Sequence, residues 1–340
     1  MRVAAIDCGT NSIRLLVADV EPPDRDAGGS GGPNGAGTLV DLDRRMEIVR
    51  LGQGVDRTGR LAPEALDRTF AACRSYADVI RAHAAERVRF VATSATRDAE
   101  NRADFVAGVR EILGVEPCVV TGTEEARLSF IGATRGLMEA PSAQTATPVL
   151  VVDIGGGSTE FVLGGVEAGD AVPGDAEEVF AACSVDVGCV RLTERHLVSD
   201  PPTPAQIAAA RADVAAAIGA AERSVPLARA GSLVGLAGSV TTVAAMALGL
   251  DRYDAARIHR ARIGADRVRE VTGRLLAMTR AERAALGFMH PGRVDVIGAG
   301  ALVLAAIVDH VGLPDVIASE HDILDGIAWL LAECPQEPGD

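Results

Sequence analysis

One short pattern occurs twice in this sequence, at residues 6–19 (IDCGTNSIRLLVAD) and at residues 151–164 (VVDIGGGSTEFVLG). In each copy an apolar run contains an acid, Asp7 or Asp153, a glycine-containing turn follows, and a second apolar run leaves the turn. Two apolar runs joined by a tight turn are typical of a β-hairpin. Because each half of the chain contains this hairpin, we expect a duplicated fold with two domains.

Strands and helices alternate along the first half. Residues 61–83 have the apolar spacing of a helix, and residues 102–114 predict a second helix that ends at Gly114. Residues 87–95 and 115–122 predict strands. Such alternation indicates an α/β fold.

The second half repeats this alternation. Residues 179–186 predict a strand, and residues 232–249 predict a strand, a glycine turn and a helix. Two further helices are predicted to begin with capping boxes, at Thr203 and Thr279, because Gln or Glu follows three residues later. Two α/β halves that share a hairpin predict a cleft between them. Residues 251–274, with seven arginines, favour a solvated amphipathic helix, with guidance of a polyanion as the alternative.

Composition excludes several classes of protein. The sequence contains no lysine, and all 33 basic residues are arginines. P-loop NTPases, protein kinases and Schiff-base enzymes all need a lysine, so these classes are excluded. The formal net charge of −14 argues against nucleic acid as a partner. Neither the histidines nor the cysteines have metal-site spacing, so we expect carboxylates to hold any metal.

The sequence also argues against a membrane protein. Its most apolar stretch, residues 296–308, is too short to cross a bilayer. The N-terminal residues do not have the pattern of a signal peptide. We therefore expect a cytoplasmic protein.

The second turn has the chemistry of a phosphate site beside a metal. Glycines at residues 155–157 allow successive N–H groups to point into one space, and Ser158 adds a hydroxyl. Asp153 and Glu160 flank the turn and would repel phosphate unless a divalent cation lies between them, which indicates Mg²⁺. An ordinary hairpin explains a single copy better, but two matched copies favour the phosphate site.

Three other segments carry weaker signals of the same chemistry. Residues 91–101 place Arg97 just before a helix, where N-capping is the alternative explanation. Glu124 and Glu125 begin a helix, where they complement its dipole or serve as a base for water and a metal contact. Residues 235–246 form a strand-to-helix turn that either cradles phosphate or packs tightly.

The order of these motifs resembles the exopolyphosphatase / guanosine pentaphosphate phosphohydrolase family, a branch of the actin, sugar-kinase and Hsp70 ATPase superfamily. The resemblance implies an α/β fold of two ribonuclease-H-like domains around a phosphate-binding cleft. It places the first domain at residues 1–124, with a C-terminal helix at about 322–334 packed back on it, and the second at 125–321. The segments that carry it are residues 6–19, 91–101, 121–128, 151–161, 235–245 and 295–304.

The resemblance also implies roles for individual residues. Glu125 resembles the general base, in preference to Glu124, because the family places the base second in its pair. Arg97 resembles the arginine that steadies the transferred phosphate, and Asp153 and Glu160 resemble the metal-associated acids. The phosphate-binding residues implied are Thr10, Asn11, Ser12 and Arg14 in the first turn, Gly155, Gly156, Gly157 and Ser158 in the second, and Gly238, Ser239 and Thr241 in the third.

The activity implied is Mg²⁺-dependent hydrolysis of the terminal phosphate of inorganic polyphosphate, with Mn²⁺ as an alternative metal, by a homodimer. Longer family members carry C-terminal helical domains that extend the phosphate channel, so we expect a preference for shorter chains here. Hydrolysis of guanosine pentaphosphate or another nucleotide polyphosphate is the nearest alternative, and Tyr76, Tyr253 and Trp329 identify no evident base platform. A non-catalytic sensor of guanosine polyphosphates is the alternative of another class.

Overall fold

The computed structural model describes residues 1–21, 37–138, 145–165 and 178–333. Contacts between Cα atoms divide these residues into two compact units. The first comprises residues 1–121 and 323–333, and the second comprises residues 122–322.

A five-stranded sheet forms the centre of the first unit. Its strands have the order β3-β2-β1-β4-β5, in which β1, β2 and β3 are antiparallel neighbours and β1, β4 and β5 are parallel. The elements up to residue 121 are β1 (Arg2–Cys8), β2 (Ser12–Glu21), β3 (Thr38–Ile48), α1 (Val55–Thr58), α2 (Pro63–Ala82), β4 (Arg87–Ala92), α3 (Ser94–Arg97), α4 (Arg102–Leu113) and β5 (Cys118–Val119).

The second unit contains a six-stranded sheet and most of the helices. The elements from residue 122 onward are α5 (Gly122–Met138), β6 (Val149–Ile154), β7 (Thr159–Gly164), β8 (Val179–Val185), α6 (Cys189–Arg195), α7 (Pro204–Glu222), β9 (Ser232–Leu236), α8 (Ala237–Ala247), α9 (Ala255–Ile258), β10 (Arg262–Gly264), α10 (Ala265–Ala277), α11 (Arg280–Ala284), α12 (Ile297–Val311), β11 (Asp315–Ala318) and α13 (Ile323–Glu333). The last of these, α13, belongs to the first unit.

The two sheets repeat one strand order. The second sheet runs β10-β11-β9-β6-β7-β8, so β6, β7 and β8 correspond to β1, β2 and β3. The parallel strands β9 and β11 then correspond to β4 and β5, and β10 is an added antiparallel edge strand. Each hairpin predicted from the sequence is therefore the centre of its own sheet, and the predicted duplicated α/β fold is confirmed.

Each unit has its own apolar core. In the first, Phe90 of β4 and Phe105 of α4 meet edge to face with ring centroids 5.9 Å apart. The buried Tyr76 of α2 donates its hydroxyl to the carbonyl of Ile13 in β2, 3.0 Å away, so its polar end is satisfied inside that core. In the second, aliphatic residues of β6, β9, α8, α10 and α12 form the largest cluster.

Helix α13 covers part of the first sheet. Helix α13 packs against β1, β2 and β4 and is almost wholly buried on its apolar face. Asp325 of α13, only 2% exposed, forms an ion pair with Arg44 of β3 at 2.6 Å. Arg44 also contacts Asp41 at 2.7 Å, but that carboxylate is 42% exposed.

Local signals read from the sequence hold at several element boundaries. Both predicted capping boxes are present, at Thr203 before α7 and at Thr279 before α11. Helix α4 ends at Gly114, whose φ of 70° lies in the left-handed region. The expectation of one helix over residues 251–274 is wrong, because α9, the edge strand β10 and the start of α10 occupy this segment. No helix in the described part of the chain is long and apolar enough to span a membrane.

The two acids bound to Arg44 provide a test of how α13 is held. Asp325→Ala removes a buried partner of a charged group, so we expect the free energy of unfolding of the first unit to fall by about 3 kcal/mol. Asp41→Ala removes an exposed partner of the same arginine and should lower it by less than about 1 kcal/mol. Fluorescence of Trp329, the single tryptophan and a residue of α13, reports undocking during urea titration. Equal effects of the two substitutions would contradict this account.

Candidate active site

The duplicated turns share one backbone arrangement. The amide of Gly9 donates to the carbonyl of Ser12 at 2.9 Å, and the amide of Gly155 donates to the carbonyl of Ser158 at 3.0 Å. These are equivalent positions of the two hairpins, so the two copies share their closing hydrogen bond as well as their sequence pattern.

In both copies, the segment after the third strand docks on the turn. In the first unit, the amide of Gly52 donates to the carbonyl of Thr10 at 2.8 Å. In the second, the amide of Val190 donates to the carbonyl of Gly156 at 2.9 Å. A Cβ at Gly188 would lie 2.4 Å from the Gly156 carbonyl oxygen, so only glycine permits this approach.

This docking occupies the carbonyl groups of the second turn. It does not occupy the amides of Gly156 and Gly157. The carbonyls of Gly155 and Gly156 accept hydrogen bonds from the first turn of α6, and Arg191 donates to the carbonyl of Gly157 at 2.8 Å. The amides of Gly156 and Gly157 donate to no other described residue. Adjacent amides of this kind form an anion-binding nest.

The acids beside the turns differ between the two copies. In the first, Asp7 lies opposite Arg14 in the antiparallel register and accepts two hydrogen bonds from its guanidinium, at 2.7 and 3.0 Å. In the second, Asp153 lies opposite Glu160, and these carboxylates are 7% and 1% exposed. Like charges placed opposite each other in a sheet are destabilising, so this second pair requires compensation.

Two serines that the sequence analysis did not single out contact these acids. Ser129 of α5 donates to Asp153 at 2.7 Å, and Ser184 of β8 donates to Glu160 at 2.7 Å. Sequence spacing alone gave no signal for either contact, because each serine is more than twenty residues from its acid. Both contacts form because α5 and β8 pack against the second hairpin.

The two adjacent glutamates of helix α5 differ in their exposure to solvent. Glu125 is 8% exposed, whereas Glu124 is exposed to solvent. Glu125 lies one helical turn before Ser129, and residues four apart occupy the same face of a helix. Because Ser129 contacts Asp153, this face of α5 is the one directed at the second hairpin.

The donor set fits a hard divalent cation that keeps most of its water. Asp153 and Glu160 are buried carboxylates on adjacent strands, and they are the charged oxygen ligands that Mg²⁺ prefers. Among the described residues, no three or more His, Cys, Asp and Glu side chains form a group that could hold one metal ion. Two carboxylates are sufficient for such a site, because Mg²⁺ is ordinarily bound through one or two carboxylates together with substrate phosphate.

The third predicted phosphate loop begins helix α8. Gly238 and Ser239 lie at its first turn, directly after Ala237, whose φ of 66° is unusual for a residue with a side chain. Strained backbone of this kind concentrates at functional sites and costs about 1–3 kcal/mol. Thr241 is 3% exposed on the next turn.

Arg293 is a cation at this third loop that the sequence analysis missed. Its guanidinium lies against Gly238, where an added Cβ would be 2.2 Å from Cζ, and its Nη1 is 3.4 Å from the Thr242 hydroxyl. The segment His290-Pro291-Gly292-Arg293 forms a tight turn in which the His290 ring accepts from the amide of Gly292 at 3.1 Å. The sequence signal that could have identified Arg293 is its position directly after Pro291 and Gly292, which favour a turn.

The first unit holds the remaining predicted residues. Thr10 of the first turn and Ser94 of α3 share a hydrogen bond of 2.9 Å between their buried hydroxyls. Arg97 ends α3 and donates to the carbonyl of Val120 at 3.1 Å, so its side chain is directed toward the end of β5. The structure thus joins the first turn to the Arg97 segment within this unit. Asn11 and Ser12 are half-buried at the tip of the turn.

Tyr253 lies near the third loop and is partly exposed. Its hydroxyl donates to Glu320 at 2.6 Å, and the residue as a whole is 37% exposed. Burial raises the pKa of Tyr253 above its ordinary value, the Glu320 carboxylate adds to this, and a hydrogen bond with Thr241 opposes it. Tyr76 and Trp329, by contrast, are buried in the first unit.

The two matched sheets define a duplicated α/β protein, and the second turn gives it a candidate anion-binding site. Comparison with known proteins assigns it more narrowly. The sequence pattern of the Ppx/GppA phosphatase family matches residues 33–330. The chain therefore belongs to the Ppx/GppA phosphatase family.

Individual relatives cover nearly the whole chain. "Exopolyphosphatase 2" of Mycobacterium tuberculosis is 50% identical over 340 residues, which cover 97% of this chain and 98% of the relative. The crystal structure of an exopolyphosphatase-like protein is 42% identical, with a TM-score of 0.87, and covers 98% of this chain and 99% of its own. The Aquifex aeolicus PPX-GPPA enzyme is 27% identical, with a TM-score of 0.74, and covers 97% and 99%.

A histidine near the third loop predicts a pH dependence of stability. Burial lowers the pKa of His259 to about 4, and the charges of His321 and Arg260 act in the same direction. Its ring lies 4.5 Å from that of His321, and its Nδ1 accepts from the amide of Glu320, which requires the neutral form. Between pH 6.5 and 4 the unfolded chain binds a proton at this residue that the folded chain does not, so stability falls as pH falls.

The substitution His259→Asn keeps a hydrogen-bond acceptor and removes the titrating group. We expect its urea midpoint, followed by circular dichroism, to decline less between pH 6.5 and 4 than that of the unsubstituted protein. A decline of the same steepness in both proteins would contradict this assignment.

Proposed function

We propose that this protein is an exopolyphosphatase that hydrolyses the terminal phosphoanhydride of inorganic polyphosphate with a divalent cation. The observation that carries the proposal is the second turn, where the amides of Gly156 and Gly157 adjoin the buried acids Asp153 and Glu160. Membership of the Ppx/GppA phosphatase family and the name of the Mycobacterium tuberculosis relative support it.

In this proposal Glu125 accepts the proton of the attacking water. Its carboxylate is largely removed from solvent, on the face of α5 that contacts Asp153 through Ser129. A positioned general base contributes about 10²–10⁴-fold to a rate. Glu124, the neighbouring candidate, is exposed and fits this role less well.

The phosphate is held by amides, hydroxyls and arginine, because the chain has no lysine. The amides of the second turn and the Ser158 hydroxyl bind the phosphoryl oxygens and stabilise the charge that develops on them. Gly238, Ser239 and Thr241 bind further phosphate oxygens at the start of α8, where Arg293 adds positive charge. The roles of Arg97 and of the first turn, with Thr10, Asn11, Ser12 and Arg14, remain predictions from the resemblance.

Asp153 and Glu160 would hold the cation. Such a cation would supply positive charge against the phosphate oxygens and would polarise the phosphoryl group. The carboxylates contribute the two negative charges that the cation requires, while the Ser129 and Ser184 hydroxyls hold them in place.

Replacement of the proposed base tests the mechanism. We expect Glu125→Gln to lower kcat by at least about 100-fold, because an amide cannot accept the proton, and to leave the melting temperature within a few degrees. The assay is Mg²⁺-dependent phosphate release from tripolyphosphate, long-chain polyphosphate and guanosine pentaphosphate, which also ranks the substrates and tests the expected preference for short chains.

Glu124→Gln is the matched comparison, since it makes the same change at the adjacent exposed residue. Loss of activity in Glu124→Gln with retention in Glu125→Gln would contradict the assignment of the base. Absence of phosphate release from all three substrates would contradict the enzymatic proposal, and tight guanosine polyphosphate binding without turnover would favour the sensor.

Hydrolysis of guanosine pentaphosphate is the second candidate, and the position of Tyr253 favours it. Its hydroxyl is held by Glu320 and Thr241 while more than a third of the residue remains exposed. An aromatic ring fixed beside a phosphate cradle can stack on a nucleobase, which contributes about 1–3 kcal/mol per base.

Tyr253→Ala separates the two candidate substrates. If the ring stacks on guanine, kcat/KM for guanosine pentaphosphate falls about tenfold or more while kcat/KM for tripolyphosphate is unchanged. Tyr253→Phe keeps the ring and serves as the control for loss of the hydroxyl. Equal losses on both substrates would contradict a base platform at Tyr253. A cytoplasmic location and a homodimer belong to the same proposal.

A further inference from the structure

Ser129 and Ser184 each contact one acid of the like-charged pair, and the first hairpin provides a comparison. Position 14 in the first hairpin is an arginine, and it neutralises Asp7 directly. The equivalent position of the second hairpin is Glu160, so the strand register brings two carboxylates together instead of an acid and a base. Each carboxylate of this second pair then receives one serine hydroxyl at 2.7 Å.

A hydroxyl differs from a guanidinium in a way that matters for a cation site. An arginine donor would orient a carboxylate but would also cancel its charge and repel a divalent cation. A serine donor restrains the carboxylate through a hydrogen bond to an ionised acceptor, which is short and strong, without adding charge. Ser129 and Ser184 therefore restrain the two carboxylates without adding a positive charge of their own.

The two serines come from two different elements that pack against each other. Ser129 is fully buried on α5, and Ser184 lies on β8, the strand beside β7. Gly122 at the start of α5 packs closely on Ser184, because an added Cβ would lie 2.4 Å from the Ser184 Cβ. Helix α5 carries both Glu125 and Ser129, and its first residue also contacts Ser184.

We propose that Ser129 and Ser184 are positioning residues for a divalent cation, which orient Asp153 and Glu160 before the cation binds. This inference rests on the proposed function, since it assumes that these two acids are the cation ligands. Hydrogen bonds to the ligands of a metal typically contribute 10–100-fold to metal affinity. Loss of either hydroxyl is therefore expected to weaken cation binding more than it weakens the fold.

The test measures Mn²⁺ affinity directly, in full-length protein without substrate, by calorimetry and by the electron paramagnetic resonance signal of free Mn²⁺. We expect Ser129→Ala and Ser184→Ala each to raise the Mn²⁺ dissociation constant about tenfold. In the phosphate-release assay, the Mg²⁺ concentration for half-maximal activation should rise by a similar factor, while kcat at saturating Mg²⁺ recovers to near its original value.

Thr134→Val is the matched control. Thr134 is 1% exposed on the same helix, and its hydroxyl donates to the carbonyl of Phe130 at 2.7 Å rather than to an acid. It should lower the melting temperature about as much as Ser129→Ala and leave the Mn²⁺ dissociation constant unchanged. An equal rise in that constant for Thr134→Val would show a general packing effect and overturn the proposal.

The outcomes separate this inference from the proposed function. Unchanged Mn²⁺ affinity in both serine variants, with phosphate release intact, would overturn the positioning role alone. Failure of the unsubstituted protein to bind Mn²⁺, or binding that persists in Asp153→Asn, would overturn the cation assignment and with it the inference. If one serine variant does not fold, the other still decides the question.

Discussion

The site in the second unit depends on how the carbonyl oxygens of its glycine turn are held. Amides at the start of α6 bind those carbonyls, and Gly188 approaches so closely that no side chain fits between the two segments. With the carbonyls fixed on one side, the amides of Gly156 and Gly157 are presented on the other. The first turn is held in the same way through Gly52, so the constraint is a property of the duplicated hairpin and not of one loop.

The second constraint is electrostatic, and it differs between the two copies of the hairpin. Antiparallel pairing places residue 14 opposite Asp7 and residue 160 opposite Asp153, so one residue type at one register position decides whether the pair is neutral or doubly negative. The neutral pair is complete within the chain. In the second pair both acids are buried, each faces the other acid across the strands, and each accepts a hydrogen bond from a serine hydroxyl.

The fold was largely predictable because its signals are local. Repeated hairpins, apolar periodicity and the capping boxes at Thr203 and Thr279 all act within a few residues, and the structure contains them. The segment 251–274 was not predictable in this way, because β10 is stabilised as a strand by pairing with β11, about fifty residues away in sequence. Ser129, Ser184 and Arg293 were not predicted for a related reason, because their contacts form between elements that are distant in sequence. Motif resemblance identified candidate site residues, but their roles stay predictions.

Helix α13 has a consequence for how this chain is made. It is the final described element, yet it covers β1, β2 and β4 of the first sheet and brings Asp325 to Arg44. During synthesis, residues 1–121 leave the ribosome well before α13 exists, and all of the second unit is translated in between. The first sheet therefore lacks this apolar cover until α13 has been translated. Transiently exposed apolar surface of this kind makes folding intermediates prone to aggregation, so the late synthesis of α13 prolongs that exposure.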